Sequence, residues 1–143
     1  MTPHLEDQAL ARGVLESLSD AKLVLSIPGT DYKLQLVPTV PVGEIDVQVG
    51  GKIKGLIQAK ALRIHPARAG GRFIEPVWGA PRIVAGRVVA LDPASHRVLV
   101  DAAVPMWVTA PPGQDLSVIR EGQLINFYVE SGATFRPVIE VAP

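Results

Sequence analysis

Residues 52–64 carry the pattern that most narrows the choice of fold. Ile53, Gly55, Ile57, Ala59 and Ala61 fall on one side of a two-residue period; Lys52, Lys54, Gln58 and Lys60 fall on the other, with Leu56 among them. A helix would need a period near 3.6, so this run reads as a long strand with one buried face. The small residues Gly55, Ala59 and Ala61 on that face suit the crowded interior of a closed barrel. Near Ala61 the alternation slips, because Leu62 and Ile64 stand where lysines would continue it. The slip reads as a β-bulge, or as a strand passing between two packed surfaces.

The rest of the chain follows the same logic. Thirteen prolines and thirteen glycines are spread between short apolar runs, which is the punctuation of strands and turns. Residues 22–28 and 32–38 flank Gly29-Thr30-Asp31 as a hairpin, and Pro38 and Pro41 then interrupt any ladder. Residues 45–49 alternate cleanly and run into the turn signal Gly50-Gly51. A long connection over 65–81 carries Arg68, Arg72, Phe73 and Trp78, and pairing resumes at 82–91 and 96–100 around Asp92-Pro93-Ala94-Ser95. Residues 102–109 continue with a bulge at Pro105, and 123–130 is the last clear strand; whether 136–141 pairs is left open.

At the start, Thr2 can cap a helix, Pro3 suits its first position, and Glu6 and Asp7 suit its first turn. Leu10, Val14 and Leu18 then recur at four-residue steps, so the pattern predicts a helix over 3–19. The expectation is a single mainly β domain over 1–143. It comprises a closed or partly open antiparallel β-barrel of six to eight strands over 22–141, with that one N-terminal helix packed on it.

Two segments carry a resemblance. Gly86-Arg87-Val88-Val89-Ala90-Leu91-Asp92-Pro93, with Val98-Leu99-Val100-Asp101 after the turn, resembles the opening hairpin of small oligonucleotide/oligosaccharide-binding-type (OB) barrels. Glu121-Gly122-Gln123-Leu124-Ile125-Asn126-Phe127-Tyr128-Val129 is similar to their late strands, in which a glycine precedes an alternating segment. The resemblance implies a five-stranded Greek-key barrel, many of whose members bind single-stranded nucleic acid or sugars.

Charge supplies the functional hint. The net charge of zero hides nine basic residues between Lys52 and Arg97 with only Glu75 and Asp92 among them, while both flanking thirds are acidic. Lys52, Lys54, Lys60, Arg63, Arg72, Arg82 and Arg87 would make a polyanion surface if the sheet gathered them, with Phe73 and Trp78 as stacking planes for bases. A solvated strand face needs lysines too, and the near-neutral isoelectric point falls short of a typical nucleic-acid binder. Leu56, Leu62, Ile64, Val104, Met106 and Val108 offer more apolar strand surface than one barrel holds, which points to homo-oligomeric assembly.

Signals of catalysis are sparse. His4, His65 and His96 stand far apart, and there is no nucleophile elbow, phosphate loop or dinucleotide fingerprint. Asp92, Ser95 and His96 lie within one tight turn, where Asp92 has a capping role. No cofactor or metal is expected; cysteine is absent, which removes disulfides and thiolate chemistry. With no secretory or membrane-spanning segment in view, a cytoplasmic location is the default expectation. The leading expectation is thus a non-enzymatic binding or assembly module. Polyanion binding through 52–97 is the first alternative, and an enzyme with a pocket near His65, Arg72, Glu75 and Trp78 the second.

Overall fold

Four is a multiple of two, so Leu10, Val14 and Leu18 fit a strand as well as a helix, and here the strand prevails. In the computed structural model, which describes residues 7–138, residues 7–9 are helical and Ala11–Leu18 is the first strand, β1. The helix expected over 3–19 is therefore corrected from residue 11 onward; residues 3–6 lie outside the described part. Ala11, Gly13 and Leu15 are buried while Arg12 and Glu16 are exposed, a period of two. Gly13 explains the choice. A Cβ there would lie 2.5 Å from the Ser26 carbonyl oxygen of the neighbouring strand, and glycine weakens a helix interior by about 1 kcal/mol relative to alanine.

Ten further strands follow: β2 (Leu23–Ser26), β3 (Lys33–Pro38), β4 (Lys52–Pro66), β5 (Phe73–Glu75), β6 (Trp78–Gly79), β7 (Ile83–Asp92), β8 (Arg97–Asp101), β9 (Pro105–Thr109), β10 (Leu124–Val129) and β11 (Thr134–Pro137). The eleven strands among the described residues exceed the expected six to eight. Part of the excess comes from the 65–81 connection, which is not structureless: β5 pairs with β7 and β6 with β3. The strand expected at 45–49 is absent, because that segment follows a 3-10 turn at Val42–Glu44 and finds no partner strand.

β1, β2 and β3 form an antiparallel meander, and β4 returns beside β1. That is a Greek key, and β11 closes it into a ring of five by pairing with both β3 and β4. The plan then repeats. β7, β8 and β9 form a meander, β10 returns beside β7, and β4 closes the second ring by pairing with β9 and β10. Directions cannot alternate all the way round an odd-numbered ring. Each ring accordingly contains one parallel pair, β3 with β11 and β4 with β9. β4 is the fourth strand of the first key and the closing strand of the second, which accounts for its 15 residues.

The two keys agree down to single hydrogen bonds. β1 slips register between Leu15 and Ser17, and β7 between Val88 and Ala90; each slip begins two residues after a glycine, Gly13 or Gly86, that has no room for a Cβ. Leu15 donates its N–H to the Gly51 carbonyl at 2.9 Å and accepts that of Gly50 at 2.7 Å. Val88 donates to the Gln123 carbonyl at 2.9 Å and accepts from Gly122 at 2.7 Å. Gly50 (φ 92°) and Gly122 (φ 82°) both take the left-handed conformation these turns require. The loops leading to them, 39–49 and 110–121, differ in length by one residue. One strand plan is used twice.

A single apolar core runs through both rings, and among the described residues no polar or charged side chain is buried. On β4, Phe127 pairs with Ile64 and Val129 with Ala61, so an extra residue is accommodated between them. This is the expected bulge, and it turns both Leu62 and Arg63 to solvent. Outside the second ring, Ala9 covers a small cluster of Ala90, Leu99 and Trp107. Beyond the last β4–β9 pair, the Gln114 amide continues the ladder: it donates to the Ile64 carbonyl at 2.6 Å and accepts the Ile64 N–H at 2.9 Å. Among the described residues no helix is long and apolar enough to cross a membrane.

Candidate functional site: the outer face of the second ring

Inward residues of β10, namely Ile125, Phe127 and Val129, are buried, so the alternation turns Asn126 and Tyr128 outward. Pairing extends these two into rows across four strands. Asn126 lies between His65 of β4 and Ala85 of β7, and Ala85 in turn faces Phe73 of β5. In the next row Tyr128 faces Ile83, which faces Glu75, while the Leu62–Arg63 bulge flanks Tyr128 on the β4 side. Arg87 stands one row to the other side of Asn126, opposite Leu124, its guanidinium donating to the Gly122 carbonyl at 3.0 Å.

Leu62 and Tyr128, 57% and 59% exposed, and the partly exposed Phe73 gather on this face three of the eight large apolar side chains that are exposed among the described residues. The cations Arg63 and Arg87 share it with the imidazole of His65, the amide of Asn126 and the carboxylates of Glu75 and of Asp101, the latter directly opposite Arg87. Arg63 and His65 also line a cleft of about 330 Å³ beside Gln114 and Asp115.

The residues singled out from sequence are brought together only in part. Arg63, Phe73 and Arg87 share the face just described. Lys52 and Lys54 lie on the first ring, opposite Val14 and Arg12 of β1. Lys60 lies between the rings, in a groove of about 410 Å³ with Arg97, Trp107 and Glu130. Arg72 is ion-paired with Asp101 at 2.7 Å. Trp78, 69% exposed, donates its indole N–H to the Asp31 carbonyl at 2.9 Å and lies under Lys33. The backbone of Arg82 bonds Glu75 and Val129 just before β7.

One continuous basic strip therefore does not form. β10 separates β4 from β7 and pairs only with the far half of β4, and Lys52 is eleven residues from Arg63, on the order of 35 Å along the strand. His65, named from sequence only for an enzyme pocket, and Leu62, named only for assembly, join a face whose Asn126 and Tyr128 escaped the sequence reading. The signal for the last two was present, since the alternation of 124–129 already sets them opposite three buried apolar residues.

The turn residues behave as turn residues. Asp92 is held below the usual carboxylate range by the Ser95 hydroxyl first, and then by Arg97. His96 occupies the left-handed region at φ 56° and its Nε2 bonds the Pro111 carbonyl at 3.0 Å. Among the described residues no three His, Asp or Glu side chains converge as a metal site. No protein-family model matches this chain, and no curated protein or solved structure proves similar to it.

Proposed function

We propose that the protein is a non-catalytic binding module built from two fused OB-type barrels, and that it engages a single-stranded polyanion on the outer face of β4, β10, β7 and β5. The observation carrying this reading is the grouping of Tyr128, Phe73, Arg63, His65 and Arg87 on one sheet face. Flat rings offer stacking planes for unpaired bases, and the cations neutralise phosphates between them. Two five-stranded Greek-key rings are what OB-type architecture calls for, and they support that part of the reading.

Fluorescence anisotropy with a labelled single-stranded oligonucleotide tests it. Binding is expected at about 50 mM salt, with log K falling against log salt by about 0.7 per neutralised phosphate, so a slope near −2 for about three contacts. Tyr128→Ala removes one stacked base and weakens binding about tenfold, whereas Trp78→Ala, on another part of the surface, leaves it unchanged. No binding at low salt, or equal loss in both variants, overturns the assignment.

Exposure of Leu62 beside Tyr128 favours a second reading, self-assembly through the same patch. Light scattering decides it: a strict monomer at high concentration removes this reading, and an oligomer dissolved by Leu62→Glu supports it.

A further inference from the structure

Beside the β1–β4 pair of the first ring lies a cavity of about 490 Å³, within the range of small-molecule sites. Pro28, Ile45, Val47 and Pro137 give it apolar walls. Its floor is the pairing of β1 with β4, where Arg12 stands directly opposite Lys54 and Val14 opposite Lys52.

The second ring fills the corresponding strand positions differently. Where Arg12 faces Lys54 in the first ring, Ala85 faces Asn126 in the second. The place of Lys52 is taken by Leu124, which is buried, and the loop corresponding to the cavity wall buries Leu116 and Ile119. Lys52 and Lys54 thus stand where the second ring has Leu124 and Asn126, while Arg87 of the second ring stands where the first has Val14.

We infer that this cavity binds a small amphiphile with an apolar body and an anionic head. The body fits the apolar walls, and the head meets Lys52 and its cationic neighbours on the strand floor. Carboxylates are present too: Glu44 and Asp46 line the loop side, and Asp7 pairs with Arg12 at 2.9 Å in an exposed ion pair. They stand off the floor strands, so the cavity is polarised and the head is directed towards β4. The site is on the other ring from the proposed polyanion surface and does not depend on it.

Decanoate is the probe, titrated into the full ¹⁵N-labelled chain, with decyltrimethylammonium as the cationic counterpart. Amide shifts are expected at Ile45, Val47, Lys52 and Lys54 with decanoate, and weaker or no shifts with the ammonium. Lys52→Gln should weaken decanoate about tenfold, the loss of one charge-assisted contact, while leaving the rest of the amide spectrum in place. Val14→Trp, which places an indole in the cavity, should abolish the shifts. No decanoate-dependent shifts, shifts confined to other regions, unaltered affinity in Lys52→Gln, or binding of the ammonium at least as tight as decanoate would each overturn the inference.

Discussion

The Phe135 ring is fully buried in the first ring of strands, and it lies against a residue with no side chain. A Cβ on Gly55 would overlap the Arg136 carbonyl oxygen and come within 2.6 Å of the Phe135 Cζ. In the second ring the two positions are exchanged in size: by pairing register, Phe127 stands where Gly55 does and Ala61 where Phe135 does. Each ring thus places one phenylalanine at this level, from opposite members of the strand pair. Gly55→Ala adds a methyl group against a backbone atom that side-chain rotation cannot move, so the cost should reach the upper end of overpacking, about 3 kcal/mol. Phe135→Leu removes part of the ring and leaves a modest void, at about 1.5 kcal/mol. In the double variant the smaller side chain makes room for the methyl but the Arg136 carbonyl still obstructs it, so about 1 kcal/mol of the sum should be recovered. Urea unfolding followed by intrinsic fluorescence measures all three, with unchanged m-values showing that the native fold is retained. For Gly55→Ala the melting temperature should fall by about 10 °C. A Gly55→Ala variant within about 0.5 kcal/mol of wild type, or strict additivity of the pair, would refute the packing argument.

Two further outcomes follow from the same contacts. Gln114→Glu keeps the acceptor for the Ile64 N–H but sets a carboxylate oxygen against the Ile64 carbonyl, so it should cost about 2 kcal/mol in urea unfolding; a neutral result would mean that the amide ladder contributes nothing. Gly13→Ala and Gly86→Ala, which occupy matching places in the two keys, should destabilise by similar amounts of about 2–3 kcal/mol, while Gly71→Ala, with open space around it, should stay within about 0.5 kcal/mol in the same assay.

Legibility of the fold tracks how local the determining contacts are. The β2–β3 and β7–β8 hairpins were readable because Gly29 and Pro93 fix their turns within a few residues. The bulge at Leu62 and Arg63 was readable because it breaks a period inside one strand. β1 was misread because a four-residue spacing does not distinguish the two periods, and what decides it is the approach of Ser26 to Gly13 from another strand. The twofold use of one strand plan left little trace, because its anchors are backbone geometries. Gly13 with Gly86 and Gly50 with Gly122 are matched, but a register slip accepts Leu15 in one key and Val88 in the other, since only backbone bonds are specified there.

The candidate site was less legible for a related reason. Clustering of cations along the sequence is a one-dimensional fact, and β4 spreads its cations over a strand shared by two rings. Lys52 and Lys54 meet Val14 and Arg12, from the acidic first third of the chain, whereas Arg63 and His65 meet Asn126 and Tyr128, from the acidic last third. Arg72 is drawn into an ion pair with Asp101, also from that last third. Closing two rings through one strand thus brings residues from both acidic thirds beside the basic middle, and divides one run of charge in sequence among separate surfaces. Any ligand that reads the basic segment meets those surfaces singly, so substitutions at Lys52 and at Arg63 should affect different ligands and act independently on each.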